Sequence, residues 1–320
     1  MSGWHLDLVA RACDGALKGP GDLTLTGIST DTRTLQPGNL YVPLKGPEFD
    51  GHDFVERAFE VGAAASLWGR PDPPSRPLVQ VADTLAAYQA LGRFHRRLLA
   101  VPVVAVTGSA GKTTTKELCA AVLGSRYRVH KTARNYNNEV GVPRTLLELD
   151  SSHQVAVVEM AMRGSGQIRE LARLADPRVG LITSVGEAHI ELLGSREAIA
   201  DAKGELLEEL PPGATAVLPA ECPHFDRLKA RTGCQVLSFA VDAPADVRCL
   251  ERTSRGVFGW EVAVDCLGRR ATLEFPAPGR HNLSNLLGVL AVAALFGIPP
   301  EEAATAVADF RGAELRMQVR

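Results

Sequence analysis

The chain has 320 residues, of which 45% are apolar and 22% charged, so its composition is that of a folded globular protein and excludes a disordered or collagen-like chain. Its 35 Lys and Arg nearly balance its 37 Asp and Glu, and the net charge of −2 provides no global basic field that would attract nucleic acid or an anionic membrane. The length predicts about two domains.

The first hundred residues alternate short β-like runs with turn residues and two helical patterns, which predicts a small α/β domain. The predicted elements are strands at 23–28, 38–44 and 78–81 and helices at 53–62 and 84–99. We place the end of this domain near Ala100. Residues 1–7 carry neither the basic nor the apolar segment of a signal peptide, so we expect a cytoplasmic protein.

After Val101 the pattern changes to short apolar runs that alternate with amphipathic helices, which is typical of a doubly wound, mostly parallel sheet covered by helices on both faces. The predicted strands are 103–106, 155–158, 179–182, 216–218 and 236–239, followed by a hairpin of 260–264 with 271–275 and a helix at 282–296. The apolar run from Leu286 to Ile298 is 13 residues long, shorter than the ~17 to 25 residues that span a bilayer. It predicts a buried helix, and we expect no membrane insertion.

A strand, a glycine-framed loop and a helix start follow one another between Val103 and Thr115, and they give the most informative pattern in the chain. Glycines let backbone N–H groups curl around phosphate oxygens, and the helix N-terminus adds positive potential. Lys112 can reach the outer phosphates, and the hydroxyl of Thr113 can bind Mg²⁺. Val106 stands where the general pattern has a glycine, so the loop has the shorter Gly-x-x-Gly-Lys-Thr form, which disfavours a generic P-loop kinase.

Three other polar positions have both a structural and a functional interpretation. Glu159 ends an apolar strand, so it is either a solvent-exposed acid or a Mg²⁺ ligand in the crevice at the carboxyl edge of the sheet. His189 follows the next strand and is either structural or a second metal ligand. Lys203 lies within a predicted helix from Ser195 to Leu210, where composition alone favours a solvated lysine, beside an unusual Gly204. The three asparagines of residues 135–138 are turn residues or hold a polar ligand.

Several motifs occur in an order that resembles the Mur ligase family. They are GSAGKTTTKE (108–117), NYNN with GVP (135–138 and 141–143), EM (159–160), AHIE with LGS (188–191 and 193–195), AKGE (202–205), and GRHN with Asn285 (279–282). DTR (31–33), PG (37–38), LKG (44–46) and FDGHDF (49–54) resemble the uridine-nucleotide domain of the same family. The resemblance spans about residues 28 to 316.

The resemblance implies a role for each matching residue. Thr32, Arg33, Lys45 and Gly46 would bind the UDP part of the substrate, and Asn137 and Asn138 would face the substrate. The ATP-binding residues would be Gly108, Ser109, Ala110, Gly111, Lys112, Thr113, Thr114, Asn282, Asn285 and Arg316. Thr113, Glu159, His189 and a carbamylated Lys203 would hold Mg²⁺, and Lys112, Lys203, His189 and Glu159 would be catalytic. Ser184 stands at a position that is frequently Asn in the family.

The resemblance also implies an activity and a domain plan. We expect a UDP-substrate domain at 1–99, an ATP-binding domain at 100–312, and at 313–320 the start of a third domain that is absent. The expected reaction is ATP-dependent joining of D-Ala-D-Ala to UDP-MurNAc-tripeptide in cytoplasmic peptidoglycan precursor synthesis, by a monomer with no nucleic-acid partner. Two alternatives stay open: a sister ligase that adds a single amino acid, and a catalytically incomplete nucleotide-binding fragment.

Overall fold

A computed structural model describes residues 4–188 and 190–310. The chain divides into two compact units, which are residues 1–99 with 146–150, and residues 100–145 with 151–320. The short segment 146–150 belongs to the first unit although it lies far along the chain. Among the described residues, no helix has the length and apolar character that a bilayer crossing requires.

The first unit contains seven strands and three α-helices in its described N-terminal part. They are β1 (Trp4–His5), α1 (Leu6–Ala12), β2 (Ala16–Lys18), β3 (Thr24–Leu25), β4 (Gly27–Ser29), β5 (Asn39–Tyr41), α2 (Val55–Val61), β6 (Ala65–Trp68), β7 (Leu78–Gln80) and α3 (Thr84–Leu99). Five strands form a sheet of order β2-β7-β6-β5-β4, in which β2 is antiparallel to β7 and the other neighbours are parallel. A second, two-stranded sheet pairs β1 with β3.

The helix predicted at 53–62 differs in its first turn. Residues Gly51–Phe54 form a 3₁₀ turn, and α2 begins only at Val55. The reason is a local hydrogen-bond network: Asp50 accepts from the backbone N–H of His52 at 3.0 Å and from its Nδ1 at 2.7 Å. The Nε2 of His52 in turn accepts from the N–H of Gly69 at 3.0 Å. These side-chain contacts fix the tighter turn, and helical periodicity does not reveal them.

The described part of the second unit carries seventeen further helices and strands, and the end of the helix Gly141–Leu147 lies in the segment that belongs to the first unit. They are β8 (Val103–Thr107), α4 (Lys112–Leu123), β9 (Val129–Lys131), α5 (Gly141–Leu147), β10 (Val155–Glu159), α6 (Gln167–Ala175), β11 (Val179–Ile182), α7 (Ile190–Leu193), α8 (Arg196–Glu208), β12 (Thr215–Pro219), α9 (Phe225–Lys229), β13 (Gln235–Ala240), β14 (Val247–Ser254), β15 (Trp260–Cys266), β16 (Arg269–Phe275), α10 (Arg280–Leu295) and, ending the series, α11 (Pro300–Ala308).

These strands form a nine-stranded sheet of order β16-β15-β14-β13-β12-β11-β8-β10-β9. In this order, each strand from β9 across to β14 is parallel to its neighbour. The pairs β14–β15 and β15–β16 are antiparallel. The chain places β10 on one side of β8 and β11 on the other, so the strand order reverses at β8. In open α/β sheets a crevice for ligands forms at the carboxyl ends of the strands at such a point.

Helices cover both faces of this sheet. The core on one face joins α4, α10 and α11 to the strands, and the core on the other joins α8 and α9 to β11 and β12. Helix α10 is buried along most of its length, as the apolar run from Leu286 predicts. The predicted α/β class with a mostly parallel central sheet is confirmed.

The sequence reading omitted one long strand of this sheet. Strand β14 pairs with β13 and β15, but most of its residues are half-buried or exposed, so its sequence lacks the apolar run that marks the parallel strands. The hairpin predicted from 260–264 and 271–275 is present as β15 and β16. Together with β14 it closes the sheet as an antiparallel ribbon.

Candidate nucleotide and metal site

The loop between β8 and α4 depends on two glycines. Gly111 directly precedes α4 with a φ of 83°, in the left-handed region that favours glycine. A Cβ atom placed there would lie 2.4 Å from Oδ1 of Asn285, and a Cβ atom at Gly108 would lie 1.9 Å from Oγ1 of Thr183. Neighbouring polar side chains therefore approach the loop backbone at both positions, and any larger residue would displace them.

The segment after β11 holds the loop in place. The N–H of Ser109 donates to the carbonyl of Ser184 at 2.9 Å, and the N–H of Ala110 donates to Oγ of Ser184 at 3.0 Å. Oγ1 of Thr183 donates to the carbonyl of Ala110 at 2.5 Å. Ser184 thus supports the loop through its backbone and its hydroxyl.

Lys112 is the first residue of α4, and its ammonium group reaches back across the loop. Its Nζ donates to the carbonyl of Gly108 at 2.8 Å. This places the positive charge of the lysine at the helix N-terminus, where the backbone already provides positive potential. Thr114 lies half-buried in the same first turn. The arrangement fits the phosphates of a nucleotide.

Glu159 ends β10 and lies inside the site with 1% of its surface exposed. Its Oε1 accepts from Nδ2 of Asn137 at 2.7 Å and from Oγ1 of Thr113 at 3.3 Å. Its Oε2 lies 3.8 Å from Nζ of Lys116 and has no hydrogen-bond partner within the described residues. The interpretation of Glu159 as a solvent-exposed acid is therefore wrong.

The residues around Glu159 fit a magnesium ion. Mg²⁺ prefers oxygen ligands and usually keeps several waters while taking one or two carboxylates together with substrate phosphates. The buried carboxylate provides an oxygen without a partner, and the hydroxyl of Thr113 touches the other oxygen at the end of the phosphate loop. Within residues 4–188 and 190–310, no group of three or more His, Cys, Asp or Glu side chains forms a metal site by itself.

Lys116 is a part of this site that the sequence reading did not select. It is almost fully buried, donates to the carbonyl of Arg134 at 3.2 Å and pairs with Oε1 of Glu117 at 3.0 Å. Its position one helical turn after Lys112 was the available signal, because residues four apart share a helix face. It provides a counter-charge close to Glu159.

Lys203 lies on α8 with 2% of its surface exposed, so the solvated lysine that composition favours is wrong. Burial, followed by the charge of Lys112, lowers the pKa of its ammonium group to about 7. No hydrogen bond or ion pair joins its Nζ to another described residue. A substantial fraction of this side chain is therefore a neutral, nucleophilic amine at neutral pH.

Helix α10 brings two asparagines to the same edge. Nδ2 of Asn282 donates to the carbonyl of Pro278 at 2.7 Å, and Nδ2 of Asn285 lies 3.4 Å from Oδ1 of Asn282. Asn285 also contacts the loop position Gly111. Asn138 has a different environment, because its Oδ1 accepts from the N–H of Gly141 and caps the start of α5. His189 and Arg316 lie outside the described residues.

The four candidate residues of the first unit lie on two loops. Arg33 forms a bidentate ion pair with Asp31, with its NH2 and Nε at 2.6 and 2.9 Å from the carboxylate oxygens, and Thr32 lies between them. Lys45 is exposed and forms a backbone bridge with Asp50. Gly46 closes a turn by donating its N–H to the carbonyl of Phe49 at 2.9 Å.

Two aromatic side chains beside these loops, at the two ends of the FDGHDF segment, were not named as candidate ligands from the sequence. The ring of Phe49 lies over Gly46, and a Cβ atom placed at Gly46 would lie 2.6 Å from that ring. Phe49 is 58% exposed. Phe54 is 44% exposed.

The sheet topology and the glycine loop at its switch point define a P-loop protein of the doubly wound α/β class. Comparison with known proteins identifies the group within that class. The family description "Mur ligase middle domain" matches residues 106–293, and "Mur ligase family, catalytic domain" matches residues 24–139. The chain belongs to the Mur ligase family.

Three relatives of known sequence bear the name "UDP-N-acetylmuramoyl-tripeptide--D-alanyl-D-alanine ligase". The protein of that name from Bacillus subtilis is 39% identical over 97% of this chain and 68% of its own length. Those from Synechocystis and Escherichia coli are 44% and 35% identical, over 87% and 89% of this chain and 60% and 63% of their own lengths. The chain thus spans between 60 and 68% of the length of these three relatives.

Solved structures give the same result. MurF from Acinetobacter baumannii has a TM-score of 0.93 at 30% identity, covering 98% of this chain and 69% of that one. A MurF ligase from Thermotoga maritima, solved in complex with ADP, has a TM-score of 0.85 at 28% identity, covering 93% of this chain and 69% of its own.

Proposed function

We propose that this chain carries the ATP site and the UDP-substrate site of a ligase that joins UDP-MurNAc-tripeptide to D-Ala-D-Ala in the cytoplasm. The observation that carries the proposal is the cluster of Thr113, Asn137 and a buried Glu159 next to the phosphate loop, in a chain whose relatives bear that ligase name. Adenine nucleotide is the expected occupant of the loop, since a neighbouring structure holds ADP.

The chemistry proceeds in two substitutions. A terminal carboxylate oxygen of the tripeptide attacks the γ-phosphorus of ATP, the bond to the bridging oxygen breaks, and ADP leaves with an acyl phosphate formed. The amine of D-Ala-D-Ala then attacks the acyl carbon, loses a proton, and expels inorganic phosphate. Both steps develop negative charge on phosphoryl or carbonyl oxygens, so preorganised positive groups accelerate them.

This chain's own residues provide the charges and the orientation. Lys112, with its Nζ held at the carbonyl of Gly108, contacts the outer phosphates, and the N–H groups at the N-terminus of α4 bind their oxygens. Thr113 and Glu159 are the proposed Mg²⁺ ligands from the described residues, together with His189 and the carbamate of Lys203. The metal would supply charge neutralisation on the phosphates. Asn137 holds the Glu159 carboxylate in orientation.

Lys203 is proposed to react with CO₂ through its neutral amine. A nitrogen–carbon bond forms, a proton is released, and the side chain becomes an anionic carbamate. With a pKa of about 7, the neutral fraction of the amine increases from pH 6 to pH 8, so carbamate formation should increase over that range. The measurement is the ¹³C-carbamate NMR signal in ¹³C-bicarbonate, with Lys203→Ala as control. A signal that stays absent at pH 8 would contradict this role.

In the first unit, Thr32, Arg33, Lys45 and Gly46 are the proposed contacts of the UDP group. The guanidinium of Arg33 and the ammonium of Lys45 match a diphosphate in charge. Asp31 holds Arg33 in orientation through contacts with the Nε and Nη2 atoms of its guanidinium group.

The test of the function uses ATP, Mg²⁺, UDP-MurNAc-tripeptide and D-Ala-D-Ala, with phosphate release and the pentapeptide product measured together, the product by mass spectrometry. The proposal expects one product per phosphate in the protein that contains this chain. Product from a single amino acid but not from D-Ala-D-Ala would instead identify a sister ligase. Phosphate release without any amide product would support the ATP site and contradict the ligase activity.

A further inference from the structure

Glu205 has contacts that the proposed reaction does not use. It lies two residues after Lys203 on α8, and 4% of its surface is exposed. Its two carboxylate oxygens accept from backbone N–H groups at the start of α6, from Gly166 at 2.6 Å and from Arg169 at 3.1 Å. Gly166, the residue that precedes α6, provides no side-chain cap of its own.

This contact replaces the cap that α6 lacks. The first N–H groups of a helix have no intrahelical partner, and a carboxylate there satisfies them and interacts favourably with the helix dipole. The acceptor usually comes from the neighbouring residue in the chain. Here it comes from another helix, so the same bonds that cap α6 also lock α8 to it.

The hydrogen bonds from the start of α6 to Glu205 determine the direction in which Lys203 points. Successive residues of a helix are about 100° apart, so side chains two positions apart point to nearly opposite sides. With Glu205 turned to α6, Lys203 is turned away from it, to the side where it lies within electrostatic reach of Lys112. Between them, Gly204 is covered by the side chain of Arg231, which leaves α8 little freedom to rotate.

The same carboxylate also reaches the loop that follows Glu159. That loop runs from Met160 to Gly166, and the N–H of Gly166 is one of the two donors to Glu205. We infer that Glu205 is a positioning residue that clamps α8 to the start of α6 and so fixes Lys203 and the loop after Glu159 in one arrangement. The inference rests on the proposed role of Lys203, but it has a consequence that does not require a carbamate.

The test compares Glu205→Gln with Glu209→Gln in the otherwise unchanged protein. Glu209 also joins α8 to α6, through ion pairs with Arg169 and Arg173, but it makes no contact with the N–H groups that precede or begin α6. In Glu205→Gln a side-chain NH₂ group replaces one of the two acceptor oxygens and faces an N–H donor. The side chain keeps its shape, but one of the two hydrogen bonds that clamp α8 to α6 is lost. Both variants weaken the contacts between α8 and α6, and only the first should affect Lys203.

Two measurements at Lys203 decide the question. The first is the ¹³C-carbamate signal against bicarbonate concentration, where Glu205→Gln should raise the half-saturating concentration about tenfold, as loss of an orienting partner does at other ligand sites. The second is the acylation rate of Lys203 by a small amine-reactive reagent, measured by peptide mass spectrometry relative to the exposed Lys229. Glu205→Gln should raise it about tenfold as Lys203 gains solvent access. Glu209→Gln should change neither.

Folded Glu205→Gln with wild-type values in both measurements would overturn the inference, as would equal changes in Glu209→Gln. If the wild-type protein forms no carbamate, the proposed chemistry of Lys203 fails, and the acylation rate alone decides the positioning role. If Glu205→Gln does not fold, Glu205→Asp decides in its place. Its shorter side chain keeps the charge but reaches only one N–H, so values between wild type and full loss support the clamp, and wild-type values refute it.

Discussion

The two units present their candidate residues in opposite ways. In the second unit, Glu159 and Lys203 are 1% and 2% exposed, and the phosphate loop is fixed by hydrogen bonds to Ser184. In the first unit, the side chain of Arg33 is 86% exposed and Lys45 is also exposed. Buried polar groups are already desolvated and oriented, whereas exposed ones are screened by water until a ligand covers them. Substitutions in the second unit should therefore have the larger effects.

Lys112→Ala should have the largest effect. It removes the charge that the loop holds at the N-terminus of α4, and hydrogen bonds to charged groups contribute about 1.5 to 3 kcal/mol each. We expect ATP affinity to fall below detection, by at least about 100-fold, in calorimetry with Mg²⁺. The exposed Lys229→Ala is the matched control and should bind normally. An unchanged affinity in Lys112→Ala would refute the phosphate loop.

Glu159→Gln should have the next largest effect, confined to the metal-dependent part of binding. The variant keeps the shape of the side chain and its contact with Asn137 but removes the charge that Mg²⁺ requires. The ratio of the ATP affinity with Mg²⁺ to the ATP affinity with a chelator should be about tenfold smaller in the variant than in the wild type. The exposed acid Glu170→Gln serves as the control. Full retention of the Mg²⁺ effect would show that Glu159 is not a ligand.

The first unit should respond less. Arg33→Ala combined with Lys45→Ala should weaken UDP-MurNAc-tripeptide binding about tenfold, because both charges interact through solvent before the ligand arrives. ATP affinity should not change. Arg57→Ala removes another exposed arginine of the same unit and is the control. If the double variant binds the UDP substrate as the wild type does, the site lies elsewhere in the chain.

The contrast also explains what the sequence could predict. The parallel strands and α10 are marked by continuous buried apolar runs, so their positions followed from the pattern. The Gly-x-x-Gly-Lys-Thr loop specifies its own local geometry, and its location followed as well. Strand β14 is mostly polar and lies in the sheet because β13 and β15 pair with it, which is a tertiary effect that its own residues do not encode.

Burial of charged residues was the property that the sequence could not reveal. Lys203 reads as a solvated helix lysine because periodicity cannot show that it is buried within electrostatic reach of Lys112. The same limit applies to Glu205, whose partners are N–H groups at the start of another helix. For Glu159 the strand end predicted the place, and only the structure gave its contacts with Thr113 and Asn137.

Gly204 was unusual in the sequence, since glycine within a helix is destabilising by about 1 kcal/mol relative to alanine. The structure provides the reason. A Cβ atom at this position would lie 2.5 Å from Cδ and 2.7 Å from Nε of Arg231. That arginine bridges two acids of α8, with NH1 2.8 Å from Asp201 and its other terminal nitrogen paired with Glu208. The glycine makes room for this bridge.

Gly204→Ala should therefore have the smallest effect, because two opposing contributions nearly cancel. The gain in helix propensity is about 1 kcal/mol, and displacing the partly buried Arg231 from its two acids should cost slightly more, so we expect a net loss of stability of about 0.5 kcal/mol by urea unfolding. Arg231→Ala provides the decisive background. Without the arginine side chain only the propensity contribution remains, so the same Gly204→Ala substitution should there stabilise by about 1 kcal/mol. An equal effect of Gly204→Ala in both backgrounds would show that Arg231 is not the reason for the glycine.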